Sequence, residues 1–172
     1  MNENQTIQSL LAKWRNAGKA DLISHLVEVY HHGHRAQLPE LVQLSRKVER
    51  VHADHPACPA GLADALEQLY QELESHMLKE EQVLFPMLAR GMGEHARGPI
   101  SVMRLEHQEQ EAALQAIDQI TATGLPNDAC GSWRNLYAAL NAFRIDLEQH
   151  IRLENDVLFA SVSHVAQGAH HA

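Results

Sequence analysis

The sequence has little of several features that would point to a particular class of protein. Only two of its 172 residues are cysteine, 5% are aromatic, and Lys and Arg number 14 against 22 Asp and Glu. Cys58 and Cys130 fit neither a zinc nor a redox motif, and a reducing compartment disfavours a disulfide between them. The net charge of -8 argues against nucleic acid or an anionic membrane surface as the main partner.

Long apolar runs are also missing. The longest ones are far too short to span a membrane, and the first residues lack the basic and apolar regions of a signal peptide. We therefore expect no membrane partner and a cytoplasmic location. The length fits one domain of roughly 100–200 residues, and a content of 45% apolar and 21% charged residues is typical of a globular chain.

Strand patterns are nearly absent, whereas apolar residues recur widely at helical spacing. The spacing predicts four long helices and one short amphipathic helix before them, at about residues 20–53, 62–90, 100–123 and 133–162, and at 7–14. Pro39 lies inside the first long helix and is expected to bend it. The pattern indicates an all-α, up-down-up-down four-helix bundle over residues 20–163, with a helical extension at 1–19 and a disordered tail at 164–172.

One motif occurs twice in the chain. Residues 76–85 read HMLKEEQVLF and residues 150–159 read HIRLENDVLF, so that His, Glu, Val, Leu and Phe recur 74 positions apart. A second match begins at His31 and His107, at an offset of 76 positions. The first two long helices therefore correspond to the last two, which indicates a duplicated helical hairpin and a pseudo-two-fold axis along the bundle.

Each copy of the motif places a His and a Glu four residues apart, and thus on one face of a helix. Apolar residues flank that face, and a buried His or Glu needs partners. A lone His there is most simply a core residue with a hydrogen-bond partner. Two motifs and two further histidines instead bring six polar groups into one bundle, where two divalent metal ions would satisfy them. The predicted ligands are His31, His76, Glu80, His107, His150 and Glu154.

Imidazole and carboxylate ligands inside a helical bundle suit iron, and manganese or zinc less well. Glu80 and Glu154 occupy equivalent places in the repeat, so each could bridge both ions while two histidines bind each ion. This set leaves room for a bridging oxo or hydroxo group and an exogenous ligand. Open positions of this kind are what a reactive or iron-releasing centre needs.

Most of the 13 histidines are predicted to lie outside the centre. His52 is 21 residues beyond His31, about 30 Å along a continuous helix, and is excluded. His34 lies near the same face as His31, but the repeat register favours His31. Four acidic residues near the ligands are predicted to be solvated, with a hydrogen bond to a ligand histidine as the alternative; they are Glu74, Glu81, Glu106 and Asp156.

These residues resemble a known family. The two motifs look like those of hemerythrin-like di-iron bundles. The stretches HRAQLPEL, KVERVHADHP, SHMLKEEQVLFPML and GMGEHARGPISVM are similar to one branch, the repair-of-iron-centres proteins, which are di-iron iron-sulfur cluster repair proteins induced by nitric oxide. The resemblance covers about residues 22–159. It implies a non-haem di-iron centre with the four histidines as ligands and Glu80 and Glu154 as bridges.

The resemblance also implies a role in restoring iron-sulfur clusters damaged by nitrosative or oxidative stress, by donating iron or by handling nitric oxide. Nitric oxide or dioxygen and damaged iron-sulfur proteins are the expected partners. Full-length family members carry an N-terminal domain with a cysteine pair, whereas about twenty residues without cysteine precede the bundle here. What the resemblance implies for this chain is therefore the metal centre and its reactions with small ligands.

Two other functions stay open at this point. One is an oxygen- or nitric-oxide-binding sensor or carrier without turnover. The resemblance disfavours it, because Met103 and Glu111 stand one turn from His107, where oxygen carriers have a second histidine. The other is a ferroxidase-like or peroxide-consuming enzyme, a class whose bundles are usually richer in carboxylates. Whether the protein turns over a substrate, and whether it forms a homodimer, is left open by the sequence.

Overall fold

The computed structural model describes residues 3–163, which form helices and no strand. The all-α prediction is confirmed. Helix α1 (Glu3–Arg15) precedes four bundle helices. The first bundle helix comprises α2 (Lys19–His25), π1 (Leu26–His31) and α3 (His32–Val51), and the second comprises α4 (Leu62–Lys79), π2 (Glu80–Leu84) and α5 (Phe85–Ala89). The third is α6 (Arg97–Ile120), and the fourth comprises α7 (Gly131–Leu153) and π3 (Glu154–Leu158), followed by α8 (Ala160–Ser163).

The predicted helices correspond to these elements, with ends that differ by a few residues. Pro39 lies within α3, which remains α-helical across it; a bend at this proline stays a prediction. The three π-helical segments were not predicted. The expected disordered tail lies outside the described residues. Across residues 3–163, no helix combines the length and the apolar content that crossing a membrane requires.

The four bundle helices pack as a closed ring. Helix α3 contacts α4 and α7, and α6 contacts the same two helices. The first and second bundle helices are antiparallel, because Arg35 pairs with Glu74 near one end and Arg46 pairs with Asp64 near the other. The alternating direction of all four helices stays a prediction.

The core consists of two apolar clusters with a polar layer between them. The first cluster includes Leu38, Leu73, Leu114 and Leu147, and the second includes Leu26, Leu84, Met103 and Leu153. Each bundle helix thus passes from one cluster to the other. The crossing point holds a predicted ligand histidine on every helix, and a predicted ligand glutamate as well on the second and fourth. Helix α1 closes the second cluster with Leu11, which is fully buried. The packing therefore keeps water away from the polar layer on both sides.

Candidate metal centre

All six predicted ligands come together in the polar layer, and all are buried. They form two overlapping groups whose ligand atoms lie within 4.8 Å of one another. One group is His31, Glu80, His150 and Glu154, and the other is His76, Glu80, His107 and Glu154. The two glutamates belong to both groups, which is the arrangement of two metal positions bridged by two carboxylates.

The π-helical segments position three of these ligands. Segment π1 ends at His31, π2 begins at Glu80 and π3 begins at Glu154. In π3 the backbone N–H of Phe159 donates to the carbonyl of Glu154 at 2.8 Å, a bond that spans five residues instead of four. Single π turns inside α-helices are rare and frequently occur at functional sites. Each one adds a residue to a turn, so the face that the helix presents to the centre changes there.

Proline is not the cause of these π turns. Pro86 follows π2 and has no backbone N–H to donate, which suits a widened turn. Ala160 takes the equivalent place after π3, and the π turn forms there as well. The third bundle helix carries no π segment, so the register of His107 follows from an ordinary α-helix.

The Nε2 atoms of the four histidines point into the centre. They lie near the carboxylates: His107 and His150 at 2.9 Å from Glu154, and His31 and His76 at 3.3 and 3.5 Å from Glu80. Several of these close atoms nevertheless lack hydrogen-bond geometry. Four of them are buried without a hydrogen-bond partner: both oxygens of Glu80, Nε2 of His31 and Oε2 of Glu154.

Buried polar atoms without partners are rare in folded proteins, because each costs the desolvation energy of that group. Here four such atoms belong to the two overlapping ligand groups. A cation in each group would satisfy them. The donor set and its unpaired atoms therefore fit metal binding.

Each histidine is also held from outside through Nδ1. His31 donates to Glu81 at 2.8 Å, His76 to Glu106 at 2.8 Å, and His107 to Asn155 at 2.9 Å. A neutral imidazole has one N–H, so donation from Nδ1 leaves the Nε2 lone pair facing the centre. Hydrogen-bond acceptors behind metal-binding histidines have this effect and also fix the ring orientation.

The solvated interpretation of Glu81 and Glu106 was wrong, and the alternative, a hydrogen bond to a ligand histidine, is what the structure shows. Glu74 and Asp156 instead pair with Arg35 and Arg152, as surface carboxylates do. Helical spacing had placed these residues beside the ligands but could not tell which of them reach a histidine of another helix. Asn155 was missed, although it occupies the same repeat position as Glu81.

The fourth histidine, His150, has another histidine behind it. Its Nδ1 lies 3.1 Å from Nε2 of His34, whose own Nδ1 lies 3.3 Å from Oε1 of Gln37. Gln37 then donates to Asp146 at 2.7 Å. One set of protons satisfies the whole chain, with each imidazole donating from Nδ1. His34 thus lies outside both ligand groups and orients His150, a predicted ligand.

Tyr30 adds to the same side of the centre. Its ring stacks on that of His150 with centroids 5.5 Å apart, and its hydroxyl donates to Gln149 at 3.1 Å. His52 lies elsewhere, with Nε2 3.2 Å from the sulfur of Cys130 and its ring against Trp133. The structure accordingly leaves His52 outside both ligand groups, as its distance along the helix predicts.

The two glutamates cannot both be charged without a counter-charge. Burial and the charge of Glu154 raise the pKa of Glu80 well above its usual range. Burial also disfavours the charge of Glu154, but the surrounding histidines, His150 foremost, hold its pKa well below its usual range. Burial would lower the pKa of His31, yet the carboxylates beside it raise that pKa to about 10. Without metal the centre thus needs protons to balance its carboxylates, and cations can take their place.

Acid is expected to destabilise the protein through His34. Burial and the charge of His150 lower the pKa of His34 from 6.5 to about 3. The unfolded chain then binds the proton first. Stability is therefore lost as the pH falls from about 6.5 towards about 3, by up to about 1.4 kcal/mol per pH unit. Denaturant unfolding at several pH values measures this slope. His34→Gln should reduce the slope of stability against pH, whereas His32→Gln, changed at an exposed position, should not. Equal slopes in the unmodified protein and both variants would contradict the assignment.

The fold and the centre define an all-α bundle with two buried His and Glu groups that could hold metal cations. Residues 22–162 match the profile of the hemerythrin HHE cation binding domain, and the chain belongs to this family. Individual relatives carry a more particular name. The chain is 50% identical over 153 residues to the iron-sulfur cluster repair protein YtfE of Citrobacter koseri, and 49% identical to the proteins of that name from Escherichia coli and Escherichia fergusonii. Each match covers 88% of this chain and 70% of the relative.

Proposed function

We propose that the polar layer holds two iron ions and that the protein uses them to repair damaged iron-sulfur clusters. The observation that carries the proposal is the pair of overlapping ligand groups that share Glu80 and Glu154. Imidazole and carboxylate donors within a helical bundle are the set that non-haem di-iron proteins use. The relatives named as iron-sulfur cluster repair proteins support the role, since the chain is about half identical to them over most of its length.

In this proposal each ion has its own pair of histidines. His31 and His150 would hold one, His76 and His107 the other, and both glutamates would bridge them. A bound di-iron centre supplies exchangeable iron and open positions for nitric oxide or dioxygen. The chain supplies the rest: the Nδ1 acceptors fix the ligand tautomers, and the two apolar clusters exclude water from the polar layer.

Purified protein is expected to contain close to two iron ions per chain after expression with iron. Six convergent ligands with two shared carboxylates provide for two ions and not for one. Metal analysis and the near-ultraviolet absorption of an oxo-bridged ferric pair measure this. A single zinc per chain, or no metal, would contradict the di-iron proposal.

The repair role is tested by transfer of iron. Iron-loaded protein is mixed anaerobically with an apo-ferredoxin, sulfide and a thiol reductant, and cluster formation is followed by visible absorbance. We expect faster reconstitution than with the same concentration of the His150→Ala variant, which lacks one ligand. A His52→Ala variant, changed outside both ligand groups, should match the unmodified protein. Equal rates with unmodified and His150→Ala protein would overturn the proposal.

Reaction with nitric oxide provides a second test of the proposed function. Consumption of the gas by the reduced protein over many turnovers would indicate an enzyme, and stoichiometric binding would indicate a sensor or carrier. The proposed partners are thus nitric oxide or dioxygen as ligands and damaged iron-sulfur proteins as iron acceptors. A cytoplasmic location stays a prediction, and the oligomeric state stays open.

A further inference from the structure

The two halves of the centre are related by the repeat but are not supported alike. In repeat register, Glu81 behind His31 corresponds to Asn155 behind His107. His34, which backs His150, corresponds to Gln110. Equivalent positions thus carry different side chains, so the shell behind one pair of histidines differs chemically from the shell behind the other.

The shell behind His31 and His150 is firmly fixed. His34 is fully buried and has partners on both ring nitrogens. Glu81 accepts two hydrogen bonds from Arg35, at 2.8 and 3.3 Å, in addition to the one from His31. Arg35 is itself anchored by two hydrogen bonds to Glu74. Several contacts must break together before either histidine loses its acceptor.

The shell behind His76 and His107 has fewer anchoring contacts, while its acceptor Glu106 is about as exposed as Glu81, at 20% and 24%. Among residues 3–163, the acceptor for His76, Glu106, is otherwise paired only with Lys79, whose side chain is 46% exposed. Glu106 and Lys79 line a surface pocket of about 300 Å³. The acceptor for His107 is the neutral amide of Asn155, which gives its imidazole less electron density than a carboxylate would.

Gln110 provides a second acceptor on this side. Its side chain is 3% exposed, lines the same pocket, and has a buried Oε1 without a hydrogen-bond partner. Its register equivalent, His34, reaches Nδ1 of His150, so the repeat places Gln110 towards Nδ1 of His76, the equivalent atom. Glu106 already holds that Nδ1. The unpaired oxygen of Gln110 is therefore available to take over the same N–H when Glu106 moves towards solvent.

We infer that the two metal positions are unequal. Iron leaves from the position between His76 and His107 when the Nδ1–H of His76 exchanges its hydrogen bond to Glu106 for one to Gln110. The exchange replaces a carboxylate acceptor by a neutral amide and so weakens His76 as a ligand without leaving its N–H unpaired. This inference rests on the proposed function, since it names the ion that is delivered. Gln110 and Glu106 act through His76 and are positioning residues.

The test follows the loss of iron from the fully loaded, reduced protein to an excess of a coloured ferrous chelator. We expect two phases of equal amplitude, one iron each. Glu106→Gln should accelerate only the fast phase, by roughly 10–100-fold, the usual effect of losing a hydrogen-bond partner behind a metal ligand. Glu81→Gln, its matched control on the other side, should accelerate only the slow phase.

Gln110→Leu separates acceptor exchange from a merely structural role. Without the reserve acceptor, departure of Glu106 leaves the N–H of His76 unpaired, so the fast phase should become slower. A variant that only loosened the packing would release iron faster. Faster or unchanged release from Gln110→Leu would overturn the exchange.

Other outcomes decide the assignment. A single phase for both irons, or acceleration of the fast phase by Glu81→Gln alone, would overturn the inference. If only one of the two carboxylate variants fails to bind its second iron, we expect it to be Glu106→Gln. Failure of Glu81→Gln alone would contradict the assignment. If both fail, Gln110→Leu decides. Transfer to an apo-ferredoxin is measured separately: failed transfer with intact two-phase release would refute the repair role and leave the inequality standing.

Discussion

Removal of the metal is expected to lower the melting temperature on the order of 10 °C. A ligand that binds only the folded state adds about 4 kcal/mol of stability at a thousandfold excess over its Kd. For a chain of this size, each kcal/mol corresponds to roughly 2–4 °C. The structural reason is that metal removal leaves two fully buried carboxylates and four imidazoles facing one another, with several atoms unpaired. Calorimetry before and after chelation measures the shift.

The control for this experiment is a variant prepared without iron. The chelator should leave the melting temperature of a metal-free His150→Ala variant unchanged, and adding iron back to the unmodified protein should restore its value. A melting curve that does not move after verified removal of iron would contradict metal binding in the buried layer.

Replacing either proposed bridge, Glu80 or Glu154, should cost more iron affinity than removing a hydrogen-bond partner behind a ligand, and Glu154→Ala should cost more than Glu80→Ala. The carboxylate of Glu154 lies within 4.0 Å of three ligand histidines, at 2.9 Å for His107 and His150 and 3.9 Å for His31. That of Glu80 lies near two, at 3.3 and 3.5 Å. Loss of a partner behind a ligand costs roughly 10–100-fold in affinity, so loss of a shared ligand should exceed about 100-fold.

Competition with a chelator of known affinity measures these changes. Glu80→Ala should retain a weakly held iron that exchanges faster than in the unmodified protein, because one shared carboxylate and all four histidines remain. His52→Ala should keep both ions, since His52 contacts Cys130 and Trp133 outside both ligand groups. Iron loss in His52→Ala equal to that in Glu154→Ala, or greater loss in Glu80→Ala than in Glu154→Ala, would show that the ligand set or the order of the bridges is wrong.

The all-α class, the approximate helix limits and the six residues that meet in the centre could all be predicted from the sequence. Helical spacing depends on neighbours three and four residues apart, which a sequence displays directly. The repeat added what spacing alone could not: it selected His31 over His34 as a member of the ligand set. It did so because two copies of one hairpin, packed about a pseudo-axis, bring equivalent residues to the same level.

The tertiary structure alone decided how these residues are paired and supported. His31 faces His150 of the fourth helix, and His76 faces His107 of the third. The acceptors behind the histidines include two acids predicted to be solvated and an asparagine that was missed. Such contacts depend on how far neighbouring helices slide and rotate against each other, which local spacing does not fix. The π turns at His31, Glu80 and Glu154 were likewise set by the tertiary structure. A hydrogen bond that spans five residues needs no particular residue type, so it depends on the residues that pack against the widened turn.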